Sequence, residues 1–254
     1  MQEVQISTTN GTLSGNFFPA PAATENQHAA ALLIHGWKSG QDRMFDTAEM
    51  LSKKSGIQCL TFDLRGHGES PGVIDQLSRK NFLDDVLAAY DFLIKQPNVN
   101  PNKIGVLGSS FGAYLASLLS ARRKIAWMVL RAPADYSDGD LAQPKMLGGD
   151  ETTVNEWRMQ PKNWNATEAL RAVHSFKGKI LIVESENDDL VPHQTVQNYV
   201  DAVSEKRDMQ YALMEGAPHS LSKFPDLKKQ FNEIVFEWGK QKSGGAYTEI
   251  WLCL

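Results

Sequence analysis

Short continuous apolar runs alternate along the chain with segments whose apolar residues recur at helical spacing. Ala29–Ile34, Ile57–Phe62, Ile104–Leu107, Ile125–Leu130, Lys179–Val183 and Met209–Met214 are runs of four to six residues, mostly apolar. Such runs suit strands covered on both faces, as in parallel sheets. Between them, residues 44–54, 81–96, 113–121, 168–176 and 194–203 carry helical spacing, and 227–240 closes the pattern. The segment 81–96 places Phe82, Val86, Ala89, Phe92 and Leu93 on one face, an amphipathic helix. Residues 3–9 and 12–18 alternate in part and meet at Asn10-Gly11, which predicts an opening β-hairpin. Pro19–Asn26 reads as a loop. The alternation predicts an α/β fold: a doubly wound, mostly parallel sheet of about eight strands with flanking helices. Residues 135–167 break the pattern and read as a small cap insertion over the sheet. Residues 243–254 continue no pattern and read as a tail of uncertain role.

Composition narrows the function classes. The 254 residues are 42% hydrophobic, enough for one α/β domain spanning 1–254. The formal net charge is −4 and no basic stripe is visible, so nucleic acid is not an expected partner. No apolar run reaches the ~20 residues of a membrane span, and the polar start shows no basic-then-apolar leader. The expected location is therefore cytoplasmic, with no membrane partner, as monomer or homodimer. The two cysteines, Cys59 in an apolar run and Cys253 near the end, are not expected to form a structural disulfide.

In doubly wound sheets ligands bind at the carboxyl ends of the strands, and the chemistry-bearing motifs all follow strands. G-S-S-F-G at 108–112 lies between an apolar run and a helical one, the strand–turn–helix setting of a nucleophile elbow. Ser110 is the candidate nucleophile, since it has a glycine two residues away on each side, and Ser109 does not. Gly108 and Gly112 keep side chains out of a close strand–helix approach. A serine hydroxyl needs a base, and the base an orienting carboxylate. His219, in G-A-P-H-S-L, follows the last strand. Asp188 follows the preceding one, with Asp189, Glu184 and Glu186 nearby. The order Ser, Asp, His is the one used by α/β-hydrolases. An oxyanion hole would use the N–H groups of Phe111 and Trp37, with Gly36 in H-G-W letting the backbone approach substrate. His35, His67 and His193 are expected to be solvated or to hydrogen-bond within the core.

Taken in order, H-G-W, D-L-R-G-H-G-E-S, G-S-S-F-G, N-D-D-L-V-P and G-A-P-H-S-L resemble the α/β-hydrolase superfamily over residues 3–240. The insertion after L-R-A-P-A is similar to that of dienelactone-hydrolase-like and cinnamoyl (feruloyl) esterase-like bacterial esterases. The resemblance implies Asp188 as the acid, because it stands two residues before the x-Val-Pro step. Ser185 replaces the glycine of that motif. The R-G-H-G-E-S loop is structural in most members, so Arg65 and His67 stay outside the expected site. Serine at the elbow disfavours dienelactone hydrolases and haloalkane dehalogenases, which use cysteine and aspartate there. The expected protein is a serine esterase acting on small or medium-sized ester substrates without metal or organic cofactor. Tyr136, Trp157 and Trp164, with Met146 and Met159, are expected to roof the substrate pocket. Aminopeptidase, amidase or thioesterase chemistry at the same site is the alternative, and a non-catalytic binding protein with this fold is the rival of another class. Trp251 and Leu252 in the tail suggest a further docking role.

Overall fold

The computed structural model describes residues 1–21, 28–145 and 151–240, together with the backbone of residues 242–243 and 246–247. The side chains of residues 151–153 lie outside that description, as do Met146, Trp251, Leu252 and Cys253.

Strands β1 (Gln2–Thr8) and β2 (Gly11–Phe18) form the hairpin, closed at Thr8 and Gly11. The parallel strands are β3 (His28–Ile34), β4 (Gln58–Phe62), β5 (Val99–Ser109), β6 (Trp127–Arg131), β7 (Lys179–Asn187) and β8 (Met209–Pro218). They assemble in the order β1-β2-β4-β3-β5-β6-β7-β8. β1 with β2 and β2 with β4 pair antiparallel, and strands β3 to β8 pair parallel. The helices are α1 (Phe45–Ser55), α2 (Arg79–Leu93), α3 (Phe111–Ser120), α4 (Glu151–Arg158), α5 (Glu168–Ser175), α6 (His193–Ala202) and α7 (Pro225–Gly239). Residues 242–243 and 246–247 pair as a two-stranded ribbon. The expected tail role otherwise falls outside the described residues.

The apolar runs became strands because both of their faces are covered. One core layer holds Leu32, Ile34, Val106, Leu130 and Ile182 under α2, α3, α5 and α6. The opposite layer holds Leu33, Leu107, Val129, Leu181 and Val183 against α1 and α7. All ten are fully buried, each contributing roughly 1.5–3 kcal/mol by removal from water.

Two boundaries differ instructively from the expected ones. Helix α2 begins at Arg79, earlier than the apolar spacing indicates. Ser78 accepts from Asn81 N–H while the Asn81 side chain reaches back to Ser78 N–H, a reciprocal capping box. Strand β5 begins at Val99, five residues before its apolar run, because His28 on β3 pairs with Val99 across an irregularity in register. Part of the cap is helical, as α4, where a regular element was not expected.

Cys59 is a free thiol buried in β4, and burial pushes its pKa up. No described helix is long and apolar enough to cross a membrane.

Candidate active site

Ser110 stands between β5 and α3 with φ 56° and ψ −116°, a conformation rare for a residue with a side chain. The surroundings impose it. Ser110 N–H donates to Arg131 O at 2.8 Å, and Ser110 O accepts from Ala113, Tyr114 and Ala134. The flanking glycines are required by space. A Cβ on Gly108 would lie 2.3 Å from Gly112 O, and one on Gly112 would lie 2.2 Å from Ile34 O. Strain of this kind costs about 1–3 kcal/mol and persists only where the surroundings over-determine it.

The turn aims the Ser110 hydroxyl at His219, 109 residues away in sequence. Ser110 Oγ lies 3.0 Å from His219 Nε2. His219 Nδ1 lies 2.8 and 2.9 Å from the two Asp188 oxygens. Because the carboxylate only accepts, Nδ1 carries the proton and Nε2 is left to accept the serine O–H. Asp188 also accepts from Leu190 N–H and Val191 N–H at 2.9 and 2.8 Å, which locks the carboxylate. Its side chain is 5% exposed and that of His219 13%.

The neighbouring acids have other work. Glu184 accepts from the Tyr211 hydroxyl and meets His193 Nδ1 at 2.7 Å, and Glu186 accepts from Gly216 N–H. Asp189 is exposed. Ser109 is bound through its hydroxyl by Arg131 Nη1 at 3.0 Å.

An open cleft of about 650 Å³ meets Ser110, with His219, Gly36, Trp37, Leu221 and Phe231 among its walls. Phe111 is the first residue of α3, so its N–H is one of those a helix leaves without an internal acceptor. Trp37 lies in the sharp turn after β3, next to Lys38 at φ 52°, and Gly36 approaches Ser110 so closely that a Cβ there would stand 3.5 Å from the serine Cβ.

This turn is held from beneath by two neutral imidazoles. His35 accepts from Leu64 N–H at Nε2 (3.0 Å) and donates from Nδ1 to Gly36 O (2.8 Å). His67 accepts from Lys38 N–H at Nε2 (3.1 Å) and donates to Arg65 O. Burial lowers both pKa values, that of His35 to about 4. Arg65 is itself ion-paired with buried Asp85. The motif residues outside the expected site therefore build the platform on which it stands.

Sequence reasoning missed Arg131. It ends β6 and is 5% exposed. Its Nη2 donates to Ser185 Oγ (2.9 Å), Pro218 O (3.3 Å) and His219 O (2.6 Å). Burial lowers its pKa to about 10, opposed by the Asp188 charge. The available signal was a lone charge closing the apolar run I-A-W-M-V-L-R. Ser185, which replaces the glycine of the acid motif, is one of its acceptors.

The cap residues are placed differently. Tyr136 packs its ring on Phe111 and Tyr114, at 5.8 and 4.8 Å between centroids. Lys162 Nζ lies 3.8 Å over the Trp157 ring. Trp164 stacks on His174 at 4.1 Å. None of the three is in the cleft lining, and Met159 is 57% exposed. Met146 falls outside the described residues. Among the described residues, no cluster of three His, Cys, Asp or Glu could hold a metal ion.

A profile of the prolyl oligopeptidase family matches residues 43–246, which span the elbow, the acid and the histidine. The chain belongs to the prolyl oligopeptidase family. It thereby falls within the α/β serine hydrolase superfamily. An uncharacterized protein of Mycobacterium tuberculosis is 27% identical over 220 residues, 86% of this chain and 72% of that protein. Two solved structures share the fold. An alpha-beta serine hydrolase homologue from Coxiella burnetii has a TM-score of 0.68 at 17% identity, covering 93% of this chain and 96% of its own. Est1E from Butyrivibrio proteoclasticus, solved with ferulic acid, has a TM-score of 0.67 at 18% identity, covering 92% and 98%.

Proposed function

We propose that this member of the prolyl oligopeptidase family is a serine esterase that cleaves carboxylic esters of small or medium-sized acids. The reading rests on one observation above all: the unbroken chain of contacts from Ser110 Oγ through His219 to Asp188. Ser110 Oγ attacks the ester carbonyl as His219 Nε2 takes its proton, so that an Oγ–C bond forms. The oxyanion is received by the N–H groups of Phe111 and Trp37, donors worth roughly 3–4 kcal/mol each. Collapse breaks the C–O bond to the alcohol, which leaves with the proton from His219. Water then attacks the acyl-enzyme, giving its proton to His219, and releases the acid as Ser110 recovers its own. Asp188 stabilises the imidazolium in both halves. None of these steps calls on a metal or an organic cofactor.

The positive end of α3 faces the developing oxyanion. Strain at Ser110 keeps the hydroxyl clear of its own backbone.

The second reading is peptide or amide hydrolysis at the same residues, favoured by the family match over residues 43–246. The ratio of amide to ester turnover on matched substrates separates the two. The test of the common core is intact mass after a fluorophosphonate probe. One adduct on the native chain and none on Ser110→Ala is expected. A folded native chain that takes no adduct would remove both readings and favour a binding protein of this fold.

A further inference from the structure

Three cations converge on the cap-side flank of Ser110. The Arg79, Lys145 and Arg158 head groups lie 5.1, 5.2 and 4.9 Å from the centre of the Tyr136 ring. Lys145 Nζ also lies 3.8 Å over the Trp37 ring and 5.2 Å from that of Phe111. Trp37 and Phe111 are the residues whose amides flank Ser110.

The partners of these cations are neutral. Arg79 is 3% exposed and donates to Tyr114 Oη (2.9 Å) and Ser137 O (2.7 Å). Arg158 donates to Asp135 O and Leu190 O. Lys145 Nζ is surrounded by the Trp37, Phe111 and Tyr136 rings. Among the described residues, none of the three forms an ion pair; the nearby acid, Asp135, is buried and turned to Thr167 Oγ1 (3.0 Å) and Tyr136 N–H (2.9 Å). Burial raises the Asp135 pKa to about 6, opposed by its bonds from Tyr136 N–H and Thr167 and by the Lys162 and Arg158 charges.

Taking cations out of water without a carboxylate is costly, and in a chain of net charge −4 the concentration is not a matter of composition. Burial lowers the Lys145 pKa, and Arg158 and Arg79 push it the same way. The position of Lys145 is built, not incidental. Lys145 N–H donates to Leu77 O at 2.9 Å, Pro144 bridges Ser78, and Lys80 N–H donates to Leu141 O at 3.0 Å. The cap strand is thus tied to the first turn of α2, which supplies Arg79.

We infer that the substrate is an ester whose acyl part ends in a carboxylate, received by Lys145 with Arg79 and Arg158 behind it. The charge belongs to the acyl part because the leaving alcohol must take its proton from His219, whereas Lys145 packs on the residues of the two oxyanion amides. The Trp37 ring, which lines the cleft that meets Ser110 and lies 3.8 Å beneath Lys145 Nζ, suits the methylene spacer between ester and carboxylate. A carboxylate in such surroundings forms a charge-assisted hydrogen bond, stronger than a neutral one. This inference rests on the serine-esterase reading and names its substrate class.

The test compares mono-4-nitrophenyl adipate with 4-nitrophenyl hexanoate, equal in acyl length and different in charge. The native protein should prefer the adipate monoester at least tenfold in kcat/KM. That ratio should fall to about one in Lys145→Met, and less far in Arg158→Gln, whose half-exposed side chain tolerates change. A native ratio of one or below, in protein that takes the fluorophosphonate adduct, overturns the inference and leaves the esterase reading standing. An unchanged ratio in Lys145→Met overturns it equally. If no adduct forms, calorimetric titration with monomethyl adipate reads the site without turnover. Binding that is lost in Lys145→Met then supports an anion site, and no binding ends it.

Discussion

The two flanks of Ser110 treat charge in opposite ways. On the histidine flank, Arg131 gives its donors to Ser109, Ser185, Pro218 and His219 and faces the Asp188 charge. A cation and an anion there balance within one hydrogen-bonded assembly. On the cap flank, Arg79, Lys145 and Arg158 surround Tyr136, and among the described residues no ion pair answers them. The first flank meets its own charge in the folded chain, with Arg131 Nε alone of its donors finding no partner among the described residues. The second, among the described residues, carries three cations and no paired carboxylate. The contrast is the basis for assigning the catalytic role to the first flank and the proposed carboxylate contact to the second.

The largest effect should come from breaking the histidine flank at its centre. Ser110→Ala should lower kcat by about 10⁴- to 10⁶-fold, as loss of a triad nucleophile does, with thermal unfolding little changed, since alanine keeps the same backbone bonds. Next, Asp188→Asn should cost about 10⁴-fold in kcat, because the amide no longer holds the imidazole in the tautomer that accepts at Nε2. Its circular dichroism should match the native spectrum.

Arg131→Met sharpens the contrast between the flanks. Removing the guanidinium takes a donor from the part-buried carbonyls of Pro218 and His219, a loss of roughly 1–3 kcal/mol in all where no water enters. Stability should fall by about that amount. Because the His219 backbone loses its tether, kcat and the rate of fluorophosphonate labelling should each fall roughly 10- to 100-fold, about 1.4 kcal/mol per decade. Labelling at the native rate in a folded Arg131→Met protein would reduce Arg131 to a structural residue. On the cap flank the corresponding change, Lys145→Met, should act on the choice between charged and neutral esters.

A pH-dependent effect on stability rather than on turnover lies beneath both flanks. His35 is held neutral, with its pKa lowered from 6.5 to about 4. The unfolded chain binds this proton first, so the contribution is full above pH 6.5 and is lost as pH falls towards 4, about 3 kcal/mol in all. Asp135 acts with the opposite sign. Its pKa is raised to about 6, so it favours the folded state at low pH and loses that contribution as pH rises from about 4 to 6. Chemical denaturation between pH 7 and 4.5 should show His35→Asn less stable at pH 7, with a shallower acid slope than the native chain. Equal slopes would place the acid sensitivity elsewhere, for instance at His67, whose pKa burial also lowers.

Much of this was legible before the structure. The hairpin at Asn10-Gly11, the apolar runs and the amphipathic helices followed from periodicity, since burial on one or two faces writes itself into spacing. The elbow was legible because only glycine fits at 108 and 112 beside the Ile34 carbonyl. Asp188 stood among four acids, and the geometry brings it alone to His219. The early start of α2 depended on a cap, and the early start of β5 on pairing with His28, neither of which hydrophobic spacing encodes. The cap aromatics were legible as residues but not as positions: Trp164 stacks on His174, and Tyr136 faces cations. Arg131 read as the end of a strand.

By itself, the sequence determined the order of strands and helices, the single residue types that chemistry demands, and the turns that only glycine can make. These are local properties, set by backbone sterics and by which side chains water rejects. The tertiary structure alone decided which charges would be answered. Whether Arg131 meets carbonyls and Lys145 meets aromatic faces depends on distances across elements far apart in the chain. Electrostatic energy follows those distances and the burial around them, and neither quantity exists until the chain has folded.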